Sequence, residues 1–574
     1  MTIDLTPLPD SQWSRERASH LLARAGFGGT SAEIAKLAAM NSHDAVRSLV
    51  YFDKADNSHL KSFDHSGIHD PGLEPFPESR PAATDRAKET GESMGVRVKA
   101  SGNRPLQPAT NKFFYWLRAS VLETNRIAYW WANRMLTSNA PLQEKMALFW
   151  HGHFANNEDK VRDYRKLLNQ LELFQTKGTG NFRDLVVAVA QDPAMLCFLD
   201  AGKNIKGAPN ENFAREIMEL FTMGVGNYSE KDVREAARAF TGWNYVDTKF
   251  VVNADQHDAA PKTFLGRNGN FDGVQTIDII MEQPVTAEFL AAKLYRFLVR
   301  DDLDAKAQAA LGDVLRKNRY ELAPFLETVF LSKDFYSDAS IGAQIQGPVQ
   351  LAISTCKKLE LKAIPGVPDF NVATGALGQR LFAPPTVAGW AQGRSWITLG
   401  LLLERGNFAR DVLFPDINFI PPDRYSSAPD IRQVSQRIRD GADITAATSQ
   451  AEGVIVAESN MAADRDEDFN TRYASYRGWQ MAIERVKPIP RATAQVNLSA
   501  MVRRSKLSTT AQVVDHFLSH FLRVKPASEA RTKLVRFLDD DLGTSDVVAA
   551  DTYMEDSLRL LAHLIMSLPE YQLD

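Results

Sequence analysis

Cysteine is nearly missing: the 574 residues contain two, Cys197 and Cys356, each in an apolar helical stretch. Two thiols in so long a chain build no disulfide framework, and no Cys-x-x-Cys exists to hold a structural zinc. An excess of one charge is missing as well. The 67 basic and 71 acidic residues leave a formal net charge of −4 and are interspersed rather than blocked, so no basic field points to a nucleic acid. No run approaches the roughly 18 apolar residues of a membrane span. The first fifteen residues are polar and acidic, with Pro7 and Pro9. They lack the basic-then-apolar pattern of a signal peptide, so a cytoplasmic, soluble protein is the expectation. The Gly-Lys-Ser/Thr phosphate loop, the Gly-x-Ser-x-Gly elbow and the His-Glu-x-x-His helix are all absent. Gly178-Thr179-Gly180 has no strand before it, and no nucleotide cofactor is expected.

What is present is the ordinary balance of a folded protein, 44% hydrophobic and 24% charged. Apolar residues at helical spacing predict helices over about 11–24, 110–136, 142–154, 161–176, 182–190 and 210–223. Ser229 with Asp232 makes a capping box for the next one. Only 243–275 alternates, at Phe250-Val251-Val252 and Thr263-Phe264-Leu265. The expected class is mainly α, a multi-helix bundle with long irregular loops and at most a small β-hairpin insertion. The expected organisation is an N-terminal helical segment (1–52), a proline-rich irregular excursion or linker (53–108) and a helical core (109–415). A loop-rich insertion (416–510) and a C-terminal helical unit packing on the core (511–574) follow. A three-helix unit closing on a serine followed by an acidic-aromatic pair occurs twice, ending at Ser332 to Tyr336 and at Ser567 to Tyr571.

Four motifs carry polar chemistry. Phe149-Trp150-His151-Gly152-His153-Phe154 leads into Asn156, Asn157, Glu158 and Asp159. Histidines at i and i+2 cannot share a helical face and converge on a metal only where the backbone turns, which Gly152 permits. The other reading is a helix end whose histidines bond neighbouring carbonyls. In Pro209 to Phe221, the residues Phe213, Ile217, Leu220 and Phe221 form a core stripe beside Glu216 and Glu219. Those two carboxylates suit a metal or an acid–base pair. Arg215, four residues from both Glu211 and Glu219, also admits plain surface pairing. His257-Asp258, followed by Lys262, is either a proton-transfer or metal-binding pair or a loop lock. Asp192 and Asp200 stand at helix ends. Finally, Pro384-Pro385-Thr386-Val387-Ala388-Gly389-Trp390, with Gly393 and Trp396, reads as a rigid plug or as an aromatic platform for a flat ligand.

These strings resemble the domain of unknown function 1800 family, a group of uncharacterised bacterial proteins. The likeness is carried by Leu22 to Gly28, Phe149 to Phe154, Asn181 to Leu185, Asp192 to Leu196, Leu199-Asp200 and Asn210 to Gly224. It continues in order through Thr241 to Trp243, His257-Asp258, Lys262 to Gly266, Pro384 to Trp390 and Ser567 to Leu573. Gly152 stands where Asn is expected, and Gln346 to Gln350 replaces a Ser-Pro-Val-Glu-like string. Gln350 thus lacks a carboxylate and stays outside the expected site. The resemblance implies a partner from the domain of unknown function 1501 family, whose members look like exported sulfatase- or phosphatase-type proteins, and export beside a signal-bearing partner. It raises the standing of the polar motifs as one shared site. The expected metal ligands are His151, His153, His257 and Asp200, with iron, manganese or zinc as the divalent cofactor. The expected catalytic residues are Glu216, Glu219, Arg215 and Asp258. Metal-dependent hydrolysis or oxidation is the first reading, a non-enzymatic binding or assembly partner the second, a carbohydrate-active enzyme the third.

Overall fold

The computed structural model describes residues 3–69, 89, 107–415 and 471–574. Most of the 53–108 excursion and of the 416–510 insertion therefore lies outside the described residues. The molecule is organised around the Gln107–Thr137 helix. Phe113, Trp116, Ala119, Leu122, Ile127, Trp131 and Met135 recur along it at helical spacing and are buried. The helices Thr471–Arg485, Tyr164–Lys177 and Pro348–Lys358 pack around it, as does Pro141–His153. Residues 53–69 lie on the same helix: the Trp130 indole donates to the Lys61 carbonyl at 2.8 Å and the Ser66 amide to Glu123 at 2.7 Å.

The Pro141–His153 helix opens on a proline, which needs no helical partner for its missing N–H. It is buried on nearly every side, from Pro141 and Leu142 through Phe149, Trp150, His151 and His153, as a helix through the centre of a large core must be. The predicted capping box forms, Ser229 accepting from the Asp232 amide while Asp232 accepts from that of Ser229. The class is mainly α, as expected. The alternating 243–275 segment forms two small antiparallel hairpins: β1 (Trp243–Val246) with β2 (Lys249–Val252), and β3 (Lys262–Phe264) with β4 (Arg267–Gly269).

Two predicted helices differ in shape. The 161–176 helix starts at Tyr164, because Asp163 caps it and a separate turn, Glu158–Val161, precedes it. The 210–223 helix changes to π-helical winding over Ile217–Thr222, with the Met223 amide reaching back to the Met218 carbonyl. Both three-helix units form. One contiguous apolar cluster runs from Leu8 to Tyr571. Residues 571–574 close onto its middle: Leu573 bridges Ile345, the Gln346 amide donates to the Gln572 carbonyl at 2.8 Å, and that of Asp574 to the Gln344 carbonyl at 2.9 Å.

Candidate functional site

The helix does not turn at Gly152 but continues to His153. Two residues further along a helix is about 200° around it, so the histidines face different surroundings. His153 reaches the π-wound segment. Its Nε2–H donates to the Phe221 carbonyl at 2.9 Å, and the Lys293 amine donates to its Nδ1 at 3.4 Å and to the Leu220 carbonyl at 3.0 Å. Two polar side chains thus satisfy carbonyls at a helix end. Burial, with Lys293 acting in the same direction, holds the His153 ring far below its ordinary pKa. His151 sits among Trp131, Phe382 and Trp390, and its Nε2 accepts the Phe382 amide at 3.0 Å. Burial lowers its pKa to about 3, so the ring is neutral and accepts at Nε2.

The other sequence-predicted residues are placed elsewhere. His257 Nδ1 meets the Thr241 carbonyl at 2.9 Å, and Asp258 pairs with Arg238 at 2.7 Å, which lowers its pKa. Lys262 donates to the Asp258 and Ala260 carbonyls at 2.6 and 3.1 Å. These bonds lock the loop between the two hairpins. Gly242 is required there: its φ is +80°, and a Cβ would lie 2.6 Å from the Asn253 carbonyl oxygen. Asp200 pairs with Lys160 at 2.8 Å and Lys203 at 3.1 Å. Arg215 pairs with Glu211 and Glu230, at 3.2 and 2.8 Å, while Glu219 takes a short hydrogen bond from the Tyr228 hydroxyl. Glu216 is half-buried and its pKa is raised, first by that burial and then by Glu219. Among the described residues, no group of three or more His, Cys, Asp or Glu is placed to hold a metal ion. The geometry leaves His151, His153, His257 and Asp200 apart, each with bonds of its own.

What the first motif does build is a cavity of about 110 Å³, lined by Arg118, Thr124, Asn157, Glu158, Asp159, Arg380, Phe382 and Trp479. Glu158 is 7% exposed, and its carboxylate accepts from Ser120 at 3.2 Å. Burial, reinforced by Asp159, pushes its pKa up to about 7, against the pull of Arg380 and Arg162. The Thr124 hydroxyl, also buried on this cavity, has no hydrogen-bond partner. Phe382 joins the site to the histidine: its amide donates to His151, and its carbonyl accepts the Glu158 amide at 2.9 Å. It does so at φ 59°, a left-handed conformation that costs a side-chain-bearing residue about 1–3 kcal/mol and that surrounding contacts must hold. His151 thus holds the Phe382 backbone that accepts the Glu158 amide. A glutamate in the first turn of a helix is ordinary in sequence. Its burial comes from residues 118–125, 382 and 479, which no local spacing reveals.

The profile of a family described as "Protein of unknown function (DUF1800)" matches residues 20–573. Neither the curated proteins nor the solved structures yield a match.

Proposed function

On the premise that this chain belongs to the DUF1800 family, whose profile spans residues 20–573, we propose that Glu158 is the general acid–base group of an enzyme acting on a small polar substrate. The observation that carries the reading is a buried carboxyl, near neutral in pKa, facing a cavity beside an unpartnered hydroxyl. A group titrating at the working pH gives and takes protons with the least loss in either direction. Arg380, in the same wall, stabilises negative charge that develops there. Arg118, its guanidinium 4.8 Å from the Trp479 ring, makes that wall rigid.

The test pairs an NMR titration of the Glu158 carboxyl with turnover of chromogenic glycosides, carboxylic esters, and phosphate and sulfate esters. A midpoint near 7 is expected, together with turnover that falls by about 10²–10⁴ in Glu158→Gln. A midpoint at an ordinary carboxylate value, or turnover untouched by the substitution, overturns the reading. A glycoside as the substrate would favour the carbohydrate-active version, in which Asp159 supplies the second carboxylate.

The metal-dependent version requires His151 to exchange the hydrogen bond from the Phe382 amide, and His153 the one from the Lys293 amine, for a ligand bond. Elemental analysis of protein purified without added metal decides it. Stoichiometric iron, manganese or zinc that disappears in the His151→Ala, His153→Ala double variant supports that version, and no metal counts against it. A second reading, assembly with a protein partner such as a domain of unknown function 1501 protein, is favoured by one surface. On the Leu399–Leu413 helix, Leu399 is 90% and Leu403 66% exposed, beside the tryptophan-bearing Gly393–Trp396 turn.

A further inference from the structure

A second cavity, of about 50 Å³, is lined by Arg24, Lys145, Asp301, Gln346, Gln350 and Asp574 among others, so Arg24 faces two carboxylates there. None of these residues belongs to the Glu158 site. Lys145 is 3% exposed and Arg24 2%. A lysine this deep is ordinarily held by a carboxylate, because an isolated buried ammonium is costly. Lys145 has a neutral partner instead: its Nζ donates to Gln350 Oε1 at 2.6 Å. It lies 5.3 and 5.1 Å from the Phe27 and Phe297 ring centres. The nearby carboxylate of Asp574 accepts from Gln350 Nε2 at 2.9 Å and stands 3.9 Å from the Arg24 guanidinium. The Arg24 guanidinium is itself fixed by the Leu298 and Phe297 carbonyls, at 2.9 and 3.0 Å. The Gln346 Oε1 is buried without a hydrogen-bond partner.

Burial away from water and the neighbouring guanidinium favour the neutral amine, while the two ring faces and the glutamine oxygen favour the ammonium. Burial and the Arg24 charge bring the lysine down to about 7, Asp574 pulling the other way. The same cavity thus offers a lone pair, a fixed cation and a vacant acceptor.

We propose that Lys145 is a nucleophilic amine that captures a small α-oxo acid as an imine in this cavity. Arg24 faces the substrate carboxylate, and Gln346 Oε1 accepts the hydroxyl of the addition intermediate. The Lys145 lone pair adds to the carbonyl carbon to form the C–N bond. The two amine protons pass to the carbonyl oxygen, which leaves as water as C–N becomes C=N, so the step needs no oxidant or reductant.

The test is reductive trapping of the full chain with glyoxylate and cyanoborohydride near neutral pH, followed by peptide mapping by mass spectrometry. Lys145 is expected to carry the adduct in preference to exposed lysines such as Lys533, whose side chain is 74% exposed. Gln350→Glu combined with Asp574→Asn keeps a hydrogen bond between those two positions, with its donor reversed, and sets a carboxylate against the amine. It should lower labelling at neutral pH by about tenfold or more, with recovery at higher pH, since each unit of restored pKa removes tenfold of free amine. Circular dichroism of this variant shows whether the fold is kept. An unlabelled Lys145 alongside labelled surface lysines overturns the proposal. So does a folded Gln350→Glu, Asp574→Asn protein that labels like the parent.

Discussion

Glu158 and Asp192 are both buried carboxyls whose pKa burial raises to about 7. The folded state holds their protons where the unfolded chain would release them. Their stabilising effect is complete below the unfolded values near 4 and is lost as pH rises towards 7. His151 has the opposite sign: lowered to about 3, it contributes above its unfolded value and loses that contribution as pH falls through the 6.5–3 window. Glu158→Gln, which mimics the neutral acid, is expected to remove one carboxyl's share of the neutral-side loss. In urea melts it should exceed the parent in stability at pH 7 and above by up to roughly 3 kcal/mol, and the two should converge in acid. Equal curves at all pH values would show that Glu158 titrates normally. Part of this was legible at the residue scale. Histidines bonding carbonyls was one of two readings of the His-x-His string and holds for His153, while His151 accepts an amide; of the two four-residue pairings open to Arg215, Glu211 is made and Glu219 is not. The raised carboxyl was not legible, because its burial depends on chain segments far from it in sequence.

Elements settle where those segments arrive. The Pro384 to Trp390 loop lies against the end of the Pro141–His153 helix, with Trp390 5.4 Å from His151. Its closest approach is at Gly389, where φ is +82° and a Cβ would meet the Gly152 carbonyl oxygen at 2.3 Å. Both the conformation and the contact demand glycine. Gly389→Ala is therefore expected to cost about 1–3 kcal/mol from backbone strain alone, with more from the clash, visible as a lower midpoint in thermal melts. An unchanged midpoint would mean the loop is not seated on the helix. Proline and glycine marked this segment as rigid from sequence, and the plug was one of two readings. The π-wound turn at Ile217–Thr222 carried no such mark. Its apolar spacing is that of an ordinary α-helix, and the backbone shift shows only in its hydrogen bonds to Met218.

At the scale of the whole molecule, the seam between residues 344–346 and 571–574 ties the C-terminal helical unit to the middle of the described core. Tyr571 is 2% exposed, its hydroxyl lies 2.7 Å from that of Thr355, and the Lys358 amine lies over its ring at 4.6 Å. Arg405 adds a bond from its guanidinium to Gln572 at 3.0 Å and another to the Gln346 carbonyl at 2.6 Å. Tyr571→Ala is expected to lose about 3–5 kcal/mol. Calorimetry should show one lowered transition for the described core; if only a minor late transition moved, the C-terminal unit would be a separate cooperative block. The mainly helical class was readable from apolar spacing, which is local. The seam was not, because pairing between short extended pieces leaves no periodic trace.

That seam also sets an order in time. Arg24, Lys145 and Gln346 leave the ribosome long before Tyr571 and Asp574, the residues that complete the wall around them. Through most of translation the nascent chain must carry an unfinished interior with its lysine and arginine still hydrated, and the apolar Pro141–His153 helix lacks part of its cover. Synthesis thus runs ahead of that wall until residues 571–574 emerge, a span in which exposed apolar surface is prone to aggregate.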